Sequence, residues 1–198
     1  MPVAATVPVG QSGLVQPTGA GFDLVLLAHV ACVVVALVSV ALSGVQAARL
    51  LVLATGTRPS AGLVRYYAPG VNWPGRAVYG VPAFGFALLG LSHQAYGIGD
   101  GWVLSGLVLW VGAAVLAEGV LWPAERQVQA GVALAEGMAE AAVGRVPGPV
   151  ADPAAGGLDG APDRAAADVR RSCRVVVASA ATVVAILMVA VVLMVAQP

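Results

Sequence analysis

From Phe22 to Gln46 the chain reads FDLVLLAHVACVVVALVSVALSGVQ, apolar apart from one line of small and polar positions. His29, Cys32, Ala36, Ser39, Ser43 and Gln46 recur at steps of three and four residues, which is one side of a 3.6-residue helix. Val, Leu and Ala fill the other sides. A helix in lipid turns its apolar faces to the acyl chains and its small or polar face to other helices. The pattern therefore predicts a transmembrane helix whose polar line, His29 included, points into a bundle.

Three further apolar stretches follow. The second, about Arg76 to Ala95, carries Pro82 in its first turns, where neighbouring helices can satisfy the group left without a hydrogen bond. The short turn Tyr96–Gly101 then makes the second and third spans antiparallel neighbours. The third runs from Trp102 to Trp122 with an aromatic anchor at each end. Pro123 is expected to open a cytoplasmic helix through about Val143, and the last span covers Arg174 to Ala196. Between the first two spans, Tyr66, Tyr67 and Trp73 suit the headgroup region, and Ala61 to Tyr67 suits a short interfacial helix. Small residues on the spans, namely Ala36, Ser39, Gly90, Gly112, Ala181 and Ala185, are the expected packing points.

This divides the chain into a flexible extracytoplasmic tail (1–21), three spans with a cytoplasmic helical extension (22–143), a disordered cytoplasmic linker (144–168) and the fourth span (169–198). The tail is uncharged and lacks the basic start of a signal peptide. The linker is rich in Gly, Pro and Ala and lacks the apolar residues a core needs.

Composition agrees with a membrane location. Of 198 residues 59% are hydrophobic and only 10% charged, against about 25% charged in a soluble domain. Zero formal net charge gives no footprint for nucleic acid. The Ala, Val and Gly bias and the absence of Lys suggest a bacterial origin. All ten basic residues are Arg. Arg49, Arg58, Arg65 and Arg76 lie between or at the edge of spans one and two, and Arg126, Arg145, Arg164, Arg170, Arg171 and Arg174 lie between spans three and four. The positive-inside rule then puts both connections in the cytoplasm and both termini outside, as in a multi-pass protein of the bacterial inner (plasma) membrane.

That topology brings the chain's two histidines, His29 and His93, into the outer leaflet. Two imidazoles facing one another across a bundle can hold a b-type haem iron or a copper ion. Cys32 lies one turn inward of His29, and Met188 and Met194 lie in the outer half of the last span; their soft sulfur suits Cu(I). Asp23 and Asp100, at the same end, could fix an imidazole tautomer. Each group also has a plainer role: interfacial solvation for the histidines, core packing for the sulfur side chains. Glu118, near the cytoplasmic end of the third span, is expected to pair with Arg76 or Arg174 rather than to relay protons. Cys32 and Cys173 fall near opposite faces of the bilayer and should not form a disulfide. Walker, dinucleotide, HExxH and CxxC patterns are absent, no serine sits in a nucleophile elbow, and no Lys is present to form a Schiff base.

The AHV setting of His29, the stretch VNWPGRAVYGVPAFG from Val71 to Gly85 and the ending LMVAQP from Leu193 to Pro198 resemble a family of bacterial integral membrane proteins of unknown function. That family is distantly similar to copper-resistance-D-like four-helix proteins. The chain departs from it at Gln197, where Lys is common, and in its long Ala/Gly/Pro insertion before the last span. The resemblance implies a haem or copper role for His29; His93 matches no motif of the family.

The sequence thus predicts an all-α membrane protein, a four-transmembrane-helix bundle in the lipid bilayer. Its expected role is haem or copper binding through His29 and His93, with Cys32 and Met194 as further metal ligands, for electron transfer or metal handling, and without catalytic residues. The alternative is a non-catalytic accessory or assembly subunit that binds membrane protein partners or forms a homo-oligomer.

Overall fold

The computed structural model describes residues 19–53, 61–68, 70–92, 95–143 and 161–196, and every regular element among them is helical. His93 lies outside the described residues, as do 1–18, 144–160 and Gln197. In order the elements are α1 (Ala20–Leu53), α2 (Ala61–Tyr66), a 3-10 turn (Pro74–Tyr79), α3 (Gly80–Leu91), α4 (Gly101–Leu116), a π turn (Ala117–Leu121), α5 (Trp122–Val143) and α6 (Ala161–Val195). Three continuous helices are long and apolar enough to cross a membrane: Ala20–Leu53, Gly101–Met138 and Arg164–Val195.

The polar line on α1 faces inward as its spacing predicts. Ala36, Ser39 and Ser43 are buried, while His29, Cys32 and Gln46 are half-buried. Helix α6 is the central element and packs on α1, α4 and α5. Its buried residues Cys173, Val176, Ala180, Val183, Leu187 and Ala190 alternate steps of three and four, a coiled-coil-like seam. Gly44 lets α1 approach this seam: a Cβ there would stand 3.1 Å from the Ala180 Cβ. Gly90, Gly112, Ala181 and Ala185, expected as packing points, instead lie on open faces. Small size alone does not mark the inward side when about half of all positions are Ala, Val or Gly.

Four other expectations are corrected. The second apolar stretch is not one α-helix: it winds as the six-residue 3-10 turn and then the twelve residues of α3. Pro82 has no N–H to offer the Val78 carbonyl at α-helical spacing, and the Trp110 indole Nε1 donates to that carbonyl instead, at 2.8 Å. Second, α3 packs chiefly on α1, whereas α4 packs chiefly on α6. A short turn fixes where a helix begins, and the apolar faces choose its neighbour. Third, the helix expected from Pro123 to about Val143 is present as α5, but it continues from α4 through the π turn instead of starting afresh. The Pro ring would clash with the carbonyl four residues back, and the π turn makes room: the Trp122 N–H reaches back five residues, to Ala117. Fourth, α6 starts at Ala161, inside the stretch expected to lack structure. Ala165, Ala166 and Ala167 are strong helix formers, and beyond them Gly131 of α5 meets Val169 so closely that a Cβ on Gly131 would collide with the Val169 Cγ2.

Candidate functional site

Of the residues proposed as ligands, His29 and Cys32 sit on α1 and Met194 on α6, while His93 lies outside the described residues. On α1, His29 Nδ1 lies 2.9 Å from the Val81 carbonyl oxygen of α3. A carbonyl only accepts, so Nδ1 carries the proton and Nε2 keeps its lone pair, the tautomer of a metal-binding imidazole held by a backbone oxygen. The ring lies over Gly85, where a Cβ would stand 3.5 Å from His29 Cε1. Cys32 turns its sulfur onto Gly80, 2.6 Å from where a Cβ would be, and Met194 turns its methyl onto Gly106, 2.9 Å from the corresponding point. The two sulfur side chains therefore meet different glycines on different helices. Among the described residues no group of three or more His, Cys, Asp or Glu side chains converges as a metal site would require. Asp100 accepts the Gly97 N–H at 2.8 Å within its own turn. Both cysteines are free.

Glu118 is paired as its position suggested. Its carboxylate accepts from Arg76 at 2.7 Å and from the Tyr79 hydroxyl. The Arg76 guanidinium also lies 3.9 Å above the Trp122 ring, a cation–π contact. Tyr79 stands between Trp110 and Trp122.

The most chemically unusual group is Glu125, on α5. It is 5% exposed, and no cation lies within ion-pair distance of it among the described residues. Neutral groups from three other parts of the chain form its hydrogen-bond network, and Arg76 and Arg126 line the same cleft beyond ion-pair distance. Ser43 of α1 donates to Glu125 Oε1 at 3.2 Å, and Asn72 Nδ2 donates to the same oxygen at 3.4 Å. Ser43 has one proton and gives it to Glu125; it then accepts from the Tyr66 hydroxyl at 2.8 Å and from Asn72 Nδ2 at 3.3 Å. Asn72 Oδ1 in turn accepts from Ser39 at 3.2 Å and from the Gly75 N–H at 3.3 Å. Every donor is thus aimed, directly or through one neighbour, at a single carboxylate oxygen.

Asn72, the chain's single asparagine, can do this because it precedes Pro74 in a loop, where its side chain is free of helical packing. The hydroxyl of Tyr67, 1% exposed, has no partner among the described residues. Burial pushes the phenols of Tyr66 and Tyr67 above the ordinary range, with the nearby Glu125 carboxylate adding to it; for Tyr66 the Ser43 hydrogen bond works the other way.

Glu125 was missed in the sequence because it follows Pro123 and precedes Arg126, in what reads as a solvated helix start. Its spacing held the signal. Leu121, Glu125, Val128 and Val132 lie four, three and four residues apart, and all four are buried.

Two small clefts accompany these groups. One, of about 50 Å³, is bounded by Gly70, Asn72, Trp122, Glu125, Arg126 and Gln129. The other, of about 30 Å³, lies between α1, α4 and α6 beside Ala36, Trp110, Leu187 and Met194. Both are far below the roughly 300–1,000 Å³ of a small-molecule pocket.

Helices of this length and hydropathy, with Val and Leu turned outward along α1, α4 and α6, define a helical membrane protein. No family model, curated protein or solved structure matches the chain.

Proposed function

We propose that the chain is a four-span, non-catalytic accessory or assembly subunit of the bacterial inner membrane that binds partner membrane proteins. One observation carries this: the polar side chains of the inward face of α1 hold its own helices together rather than line a cavity. Ser39 and Ser43 are committed to Asn72, Tyr66 and Glu125, and both clefts take only a few waters. Besides the three long helices, the remaining span, second along the chain, is the 3-10 turn with α3. Six residues at about 2.0 Å and twelve at about 1.5 Å give roughly 30 Å, a hydrocarbon core. The Arg distribution favours both termini outside. Reporter fusions at each terminus test the topology. Native mass measurement of the gently solubilised protein tests the function: co-purifying membrane proteins or a defined oligomer support it, and a lone monomer with no membrane complex altered on deletion overturns it.

The His29 tautomer favours a second reading, haem or copper binding near the outer leaflet, in line with the copper-resistance-D-like resemblance. His29 Nε2 would supply one ligand and His93 the other; Cys32 and Met194, packed on glycines, fit a ligand set poorly. A bound haem would supply one-electron chemistry. An absorption spectrum of the purified protein, oxidised and reduced, decides it: haem bands lost in His29→Ala support this reading, and a featureless spectrum with no copper by metal analysis removes it.

A further inference from the structure

We propose that Glu125 is a proton-binding site, reached by water from one face of the protein only, the face that carries α2 and Gly70–Asn72. The carboxyl is buried, has no cation within ion-pair distance among the described residues, and is held by Ser43 and Asn72. A buried structural carboxylate is ordinarily paired with a cation, whereas here Arg76 is paired with the exposed Glu118 instead. A carboxyl buried without a countercharge carries its negative charge only at a cost, and such groups in membrane proteins are functional by default.

Access is asymmetric. On one side the cleft of about 50 Å³ runs from Glu125 past Asn72 to exposed Gly70 and Arg126. On the other side the polar line of α1 breaks. Between Ser39 and Cys32 the buried inward residue is Ala36, which borders the cleft of about 30 Å³ shared with Trp110, Leu187 and Met194. Ser39 lies ten positions beyond His29, about 15 Å along the helix, and α1 carries no hydroxyl or carboxyl between them. Protons can therefore reach Glu125 from the α2 face and stop there.

The other titratable groups facing the site are few. Tyr66 comes from α2, Tyr67 follows it, Arg76 comes from the 3-10 turn, Arg126 is next on α5 and Cys173 comes from α6; α1 offers only Ser39 and Ser43. Both phenols are held neutral by burial, Arg stays charged throughout and an ordinary thiol is neutral below about pH 8. Titration under acidic to neutral conditions is thus left to Glu125.

Infrared difference spectroscopy on the full-length protein in oriented vesicles tests this. The expected result is a protonated-carboxyl stretch that grows as the pH of the α2-side solution falls, ignores the opposite solution and is missing in Glu125→Gln. Ser43→Ala keeps the carboxyl but removes a donor to its ionised form, so it should raise the midpoint by about one pH unit. This variant carries the test if Glu125→Gln fails to fold. A band that does not respond to pH, that follows the opposite solution, or that is displaced by sodium or potassium ions overturns the proposal; the last outcome would make the site a metal-cation site. None of these results depends on whether a partner protein co-purifies.

Discussion

Replacing Asn72 by Ala is the sharpest probe of the packing described above. The side chain makes four hydrogen bonds, to Ser39, Gly75, Ser43 and Glu125, at 3.2 to 3.4 Å. These are at the long end of the range for such bonds, which argues for the smaller membrane value of about 0.6 kcal/mol each rather than the larger figure found for soluble proteins. Four of them give about 2.4 kcal/mol. The bond to Glu125 is charge-assisted when the carboxylate is ionised, and its loss leaves Ser43 as the sole donor to a buried oxygen, so about 3 kcal/mol in all is expected. For a chain of this length that corresponds to a fall of roughly 6–12 °C in Tm. Thermal unfolding in a mild detergent, followed by circular dichroism, measures it. Gln129→Ala is the control, since its one hydrogen bond, to the Gly70 carbonyl, is 3.5 Å and exposed; it should shift Tm by less than about 2 °C. If Asn72→Ala behaves like the control, the network contributes nothing to stability and the reasoning fails.

Other outcomes follow from single contacts. Trp110→Phe removes the indole donor to the Val78 carbonyl and should cost about 1–2 kcal/mol in the same melt; adding Pro82→Ala supplies a backbone donor and should recover part of it. Gly80→Ala drives a methyl into the Cys32 sulfur and should cost about 1–3 kcal/mol; if that contact is the cause, Cys32→Ala relieves it, and a double-mutant cycle reads the coupling. Burial raises the Tyr66 and Tyr67 phenols above their unfolded value of about 10. The stability they contribute is therefore whole below about pH 10 and is lost as the pH climbs beyond it, because the unfolded chain gives up those protons first. Tyrosinate absorbance from these two should appear together with loss of helix, and its appearance in a folded protein would refute the assignment.

The all-helical class, the inward line of α1 and the Arg76–Glu118 pair were legible because each rests on periodicity or on the cost of an unpaired charge in an apolar stretch. The 3-10 winding before α3 was not, since a 3-10 turn and an α-helix draw on the same apolar residues and differ only in which carbonyl each N–H meets. The site around Glu125 was hidden for a different reason. Its donors come from positions 43, 66 and 72, far from Glu125 along the chain, and only the tertiary fold brings them together. Ser43 was visible as part of a polar face, but nothing in the local pattern names a carboxylate as its partner.

The π turn at Ala117–Leu121 sets the angular phase of everything that follows it. An α-helix advances about 100° per residue, so taking one residue out of that turn would leave the length of the Gly101–Val143 run almost unchanged and yet swing Glu125 by roughly that angle, away from Ser43 and Asn72 and toward lipid or water. Arg76 and Glu118, joined at the start of the turn, would stay close to where they are. The widened turn is thus the point at which a single-residue insertion or deletion would re-aim the carboxyl while the span keeps its place in the bilayer.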